Sequence, residues 1–105
     1  MRQPKKPYDE QLVLQIEQII CDFFQVSIDD IRGYKKESIL PTARYSLFYV
    51  LHSRYGLSAS QIALRYNRTP RVIFRANAQM QHYAQWDAYV IDVFSQLLPL
   101  LPPTL

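Results

Sequence analysis

Apolar residues recur at spacings of three and four along most of the chain, which predicts helices and no strand. The first stripe is Leu12, Ile16, Ile19, Ile20, Phe23 and Phe24, with Asp9 or Glu10 in its opening turn, where a negative charge suits the helix dipole. Ser27, with Asp30 three residues on, caps a short second helix held to the core by Ile28 and Ile31, and Gly33 can end it in a left-handed conformation. The segment YKKESILP is too broken for a long element and should be an exposed loop carrying Lys35 and Lys36. Pro41 and Thr42 announce a third helix, Thr42 as its cap, with Ala43, Leu47, Phe48, Val50 and Leu51 facing inward and Gly56 as its stop.

Residues 56–77, GLSASQIALRYNRTPRVIFRAN, hold two further helix starts in quick succession. Ser58 and Gln61 have the spacing of a capping box. Thr69 and Pro70 supply an N-cap and a pre-organised first helical position. The first of these helices should bury Ile62, Ala63 and Tyr66, and the second Ile73, Phe74, Met80 and part of Asn77, with Ala63 and Ala76 allowing close approach. This is the outline of a helix-turn-helix with a basic start to its second helix. Beyond His82, the stripe Trp86, Tyr89, Val90, Val93, Phe94 and Leu97 forms either a separate helix or a continuation. The tail LLPLLPPTL either packs back on the domain or forms a contact patch for another chain. The expected architecture is a small all-α domain. Residues 1–9 form a flexible basic lead-in, residues 10–83 the helix-turn-helix domain, residues 84–98 an additional C-terminal helix, and residues 99–105 a proline-broken apolar tail.

At 105 residues and 49% hydrophobic, the chain has room for one domain with a modest core. Its single cysteine, Cys21, excludes an intrachain disulfide framework and reads as a small buried hydrophobe. No apolar run is long enough to span a bilayer and no secretory leader is visible, which predicts a cytoplasmic protein without a membrane partner. The net charge of +3 conceals a strong asymmetry. Residues 32–82 carry Arg32, Lys35, Lys36, Arg44, Arg54, Arg65, Arg68, Arg71 and Arg75 against Glu37 alone, while the flanking segments are net acidic. A basic middle between acidic ends is the distribution expected of a polyanion-binding surface.

Enzymatic readings find little to stand on. His52 and His82 have no Cys, Asp or Glu at ligand spacing, so no metal is expected. With Gly33 and Gly56 as the only glycines, no nucleotide-binding loop can form, and no nucleotide or other cofactor is expected. Binding readings fare better. Asn67, Arg68, Thr69 and Arg71 stand where a helix N-terminus could clamp a phosphate. Arg71 and Arg75, four apart, share a face from which arginine can read a guanine edge or neutralise phosphate. Arg65 could belong to the same surface or be a solvated residue, and Tyr45, Tyr49, Tyr55 and Tyr66 read as core aromatics with hydroxyls at the rim.

Two segments, ICDFFQVSIDDIRG (residues 20–33) and ARYSLFYVLHSRYGLSASQIALRY (residues 43–66), resemble the C-terminal DNA-binding domain of the bacterial replication initiator DnaA. The resemblance covers roughly residues 12–83. It implies an all-helical fold that binds duplex DNA, with the basic loop bearing Lys35 and Lys36 contacting DNA, including its minor groove, and with Arg44 as the family's helix-opening arginine. Where that family has an RDHTT motif, this chain has the shorter NRTPRV (residues 67–72). Arg68 corresponds to the motif's arginine, and the acidic and histidine base readers have no counterpart. With no Walker motif, the chain resembles a free-standing DNA-binding module, a nucleoid-associated regulator of replication or transcription. A homodimer or protein partner would engage the C-terminal helix and tail. The rival reading is a protein-interaction domain on the same scaffold that has lost specific DNA recognition.

Overall fold

A computed structural model describes residues 8–104, and the regular secondary structure among them is entirely helical, with no strand. Six α-helices follow in order: α1 (Glu10–Phe24), α2 (Ile28–Arg32), α3 (Leu40–Tyr49), α4 (Ala59–Arg65), α5 (Pro70–Trp86) and α6 (Ala88–Leu97). The last turn of α3 widens into a π-helical segment, Val50–Arg54, and α6 tightens into a 3-10 turn, Leu98–Leu100.

Local sequence accounts for most of the boundaries. The Asp9 carboxylate accepts from the backbone N–H groups of Gln11 and Leu12, and Ser27 accepts from Asp30. The Ser58–Gln61 capping box is complete, each side chain bonding the other's backbone N–H at 2.8 and 3.0 Å. Gly56 sits at φ +77°, a conformation L side chains rarely adopt, and lets the chain reverse between α3 and α4.

Several sequence expectations are revised. Residues 1–7 of the basic lead-in lie outside the described residues, while Tyr8 packs against the core and Asp9 caps α1, so the folded unit begins before residue 10. Thr42 is not a cap: α3 opens at Leu40 with Pro41 in its first turn, where a missing N–H costs no helical hydrogen bond. Gly33 ends α2 in an extended conformation, φ −76°, and the left-handed positions fall instead on Gln25, Ser38 and Asn67. The α5–α6 question resolves into two helices: Asp87 breaks the run and its carboxylate caps α6 through the Val90 N–H. Trp86 therefore ends α5 rather than opening α6, and α5 extends past residue 83. The tail packs back, with Leu101 buried and the Tyr55 hydroxyl donating to the Pro102 carbonyl. Phe74, expected in the core, is 59% exposed.

The core is built around α3. Leu47, Phe48, Val50 and Leu51 are fully buried against Ile16 and Ile20 of α1, Ile62 of α4 and Ile73 of α5. Ala43, Ala63 and Ala76 are buried too, small enough to let neighbouring helices approach. Phe48 and Tyr66 meet with ring centroids 5.4 Å apart, and Tyr49 stacks on Phe94 at 5.6 Å, docking α6. Glu17 is buried and receives Arg65 Nε at 2.9 Å and the Tyr66 hydroxyl at 2.5 Å, while Arg65 also bonds Glu10 at 2.7 Å. Burial opposes the Arg65 charge, but the bonds to Glu17, Glu10 and Tyr8 outweigh it and raise its pKa. Burial followed by the Glu17 contact likewise holds the Tyr66 phenol protonated.

This network joins α1 to the end of α4, and removing its acceptor leaves the Tyr66 hydroxyl buried without a partner and the Arg65 charge without its buried carboxylate. Glu17→Ala is expected to lower unfolding free energy by about 3 kcal/mol in urea denaturation. A loss below about 1 kcal/mol would show that Arg65 and Tyr66 find other partners.

Candidate functional site

Helix α2 is only five residues long, and its last carbonyls have no partner within it. Two arginines fill that need. Arg44, from α3, donates through Nε to the Ile31 carbonyl at 2.9 Å and through Nη2 to the Asp30 carbonyl at 2.8 Å. Arg68, from the connection between α4 and α5, donates to the carbonyls of Arg32 at 3.0 Å, Gly33 at 2.5 Å, Ile31 at 3.4 Å and its own neighbour Tyr66 at 2.9 Å. Cations suit the negative end of a helix dipole, and carbonyls give both guanidinium groups acceptors in place of water. Burial, and then the nearby Arg68 charge, lower the Arg44 pKa.

Both residues were expected at a DNA contact, and the structure engages both guanidinium groups with backbone carbonyls. Arg44 is 5% exposed, with its side chain directed into the fold. Arg68 is half-buried and its guanidinium is occupied by carbonyls, with Cζ 4.6 Å above the Tyr34 ring. Arg65 is likewise taken up by its carboxylates.

The connection itself, residues 66–69, turns at Asn67, whose φ of +57° is a left-handed conformation that asparagine tolerates well. The Asn67 Nδ2 donates to the Tyr34 hydroxyl at 2.9 Å, and that hydroxyl donates to the Asn67 carbonyl at 3.2 Å. Tyr34 immediately precedes Lys35 and Lys36. The basic loop is thus stitched to the start of α5 by two hydrogen bonds, a cation–π contact and the Arg68 clamp.

Lys35, Lys36, Asn67, Thr69, Arg71 and Arg75 are all exposed. Thr69 occupies the N-cap of α5 in an extended conformation, but its side chain makes no capping bond. Arg71 and Arg75 lie on the side of α5 away from Ile73, Ala76 and Met80, which face the core. Among the described residues the ion pairs are those of Arg65 with Glu10 and Glu17. Arg32, Lys35, Lys36, Arg54, Arg71 and Arg75 are therefore exposed cations with no carboxylate partner there. Several of the acids, by contrast, have partners of their own. Asp9 and Asp87 cap helices, Glu17 anchors Arg65, and Asp22 and Asp92 accept from Gln18 and Gln96.

Other chemistry does not converge on one place. Among the described residues no group of three His, Cys, Asp or Glu side chains could hold a metal ion. His52 Nδ1 bonds the Leu57 carbonyl at 2.9 Å, and His82 is exposed on α5. The Cys21 thiol is buried, and burial followed by the neighbouring Glu17 and Asp22 charges pushes its pKa up to about 11, away from a reactive thiolate. Among the described residues no helix is long and apolar enough to cross a membrane. Comparison with protein-family models and with curated protein sequences gave no match.

Sequence reasoning missed Tyr34, whose only local signal is its place beside two lysines. It also missed Glu17, for which no local signal exists because its partners are 48 and 49 residues away.

The arginines divide into structural and surface groups, and stability should follow that division. Arg68→Ala is expected to lower unfolding free energy by about 2 kcal/mol, since several carbonyls lose a charged donor. Arg71→Ala and Arg75→Ala should stay within about 0.5 kcal/mol of the parent in the same denaturation measurement. Equal losses at Arg68 and Arg71 would contradict the assignment.

Proposed function

We propose that this chain binds duplex DNA as a helix-turn-helix module, with α4 and α5 as the pair and α5 as the reading helix. The observation that carries the reading is the junction of the basic loop with the start of α5 through Tyr34, Asn67 and Arg68. It ties the residue before Lys35 and Lys36 to the connection that leads into α5, and in this reading those lysines act with Thr69, Arg71 and Arg75 as one cationic surface, with no carboxylate paired to it among the described residues. In this reading the lysines contact phosphate and the minor groove, the α5 N-terminus and Thr69 add a phosphate contact, and Arg71 and Arg75 face base edges in the major groove.

The resemblance to the C-terminal domain of DnaA supports the same assignment of loop and helix. Arg44 and Arg68 then contribute by holding the surface in shape. Because the family's acidic and histidine base readers have no counterpart at residues 67–72, the proposed target sequence differs from the initiator box. A module of this kind, with no nucleotide-binding loop, would act as a nucleoid-associated regulator of replication or transcription by occupying a site.

One observation favours a second reading, a protein-interaction domain. Trp86 is 74% exposed at the end of α5, with Tyr89 and Ile91 exposed on α6 nearby in sequence. This surface lies on the opposite end of α5 from the cationic one, so a partner there and DNA at Arg71 are compatible.

The test is titration of the protein against duplex DNA at several salt concentrations. Binding in the low-micromolar range or tighter at low salt is expected, with log affinity falling against log salt by about 0.9 for each phosphate neutralised. The double variant Lys35→Ala, Lys36→Ala should weaken all sequences alike and reduce that slope by roughly 2, whereas Arg71→Ala should also relax sequence preference. No binding at low salt would sink the proposal.

A further inference from the structure

Phe74 is one of several apolar residues, Leu64 and Trp86 among them, whose exposed place in the fold the core does not explain. It lies on α5 between Arg71 and Arg75, and on a helix advancing about 100° per residue these three share the outward side. Ile73, Ala76 and Met80 supply the buried side. More than half of the Phe74 surface meets solvent. Among the described residues its ring packs perpendicular to that of His52, from the π-helical turn after α3, at 6.1 Å between centroids and 89° between planes. A second tie holds the same stretch of α5: the Ser53 hydroxyl donates to Asn77 Oδ1 at 2.6 Å. The ring is thus steadied from one flank and open on the other.

The exposed residues around Phe74 on its own helix are Pro70, Arg71, Arg75 and Ala78, two of them cations. That is a poor start for an apolar protein interface, which needs contiguous apolar residues. It suits a surface offering negative charge with an isolated apolar feature. The major groove of DNA has that character: phosphates line it, guanine edges accept from arginine, and its apolar group is the 5-methyl of thymine. We propose that Phe74 is a specificity-determining residue that contacts the 5-methyl group of a thymine in the major groove, close to the base faced by Arg71. Three residues of helix rise about 4.5 Å, against about 3.4 Å for one base step, so the thymine lies within one or two steps of that base. This inference rests on the duplex-binding reading and adds to it a chemical requirement on the site.

The experiment first selects bound duplexes from a random pool, then replaces each thymine of the selected site singly by deoxyuridine, which removes only the methyl group. One position should lose about fourfold in affinity, the effect of one buried methyl. Phe74→Ser should bind the thymine and deoxyuridine duplexes equally, Phe74→Leu should retain the preference, and Arg71→Ala should retain it at lower affinity. Thermal unfolding of each variant confirms that the fold is kept, as expected for an exposed position. The inference is overturned if no thymine responds to loss of its methyl, or if the response survives in Phe74→Ser. Failure of the parent protein to select or bind any duplex overturns the duplex-binding reading instead, and this inference with it.

Discussion

Two arginines converge on the last carbonyls of a five-residue helix, and the shape of the cationic surface depends on them. A helix as short as α2 has little stability of its own, since nearly all its backbone groups belong to one end or the other. Arg44 holds it to α3 and Arg68 holds it to the connection before α5. Without that double clamp, the loop carrying Lys35 and Lys36 would be tied to the start of α5 by the Tyr34–Asn67 pair alone. The lysines and the outward arginines could then move independently.

The clamp also changes the meaning of the basic middle of the chain. Arg44, Arg65 and Arg68 are drawn into the fold by carbonyls and carboxylates, so the charge excess at the surface is smaller than the sequence total but better defined in position. Of the cations left outside, Lys35 and Lys36 sit on the loop and Arg71 and Arg75 on the outer side of α5, where they cost no desolvation in the free protein. Four of the acids are spent elsewhere, Asp9 and Asp87 at helix starts and Glu10 and Glu17 on Arg65. This separation of sign arises from local capping needs at one set of positions and from long-range tertiary bonds at another.

Two helix starts were legible because their signals are local: Ser27 and Ser58 bond backbone N–H groups three residues on, and such pairs can be seen in the string, whereas Asp87, which caps α6 in the same way, was not read as a start. The third helix misled because Pro41 and Thr42 both suggest a start, and the proline's fixed geometry put the boundary ahead of it. Arginine roles were not legible. An exposed Arg71 and a clamped Arg68 look alike in sequence, and the Arg68 acceptors are backbone carbonyls up to 37 residues away that carry no residue signature. Phe74 was legible in part: its spacing from Arg71 and Arg75 places it on their side, but its apolar character suggested the core. The Glu17–Arg65 pair joins segments nearly half the chain apart, and nothing in either announces the other.

The central claim is that the 33–38 loop and the first turns of α5 form one DNA-facing surface. Amide hydrogen exchange, with and without a selected duplex, tests it most directly. The account predicts that bound DNA slows exchange together in residues 34–38 and 67–78 while leaving α6 unchanged. Protection confined to α6 and the end of α5 around Trp86, or to only one of the two cationic segments, would contradict it.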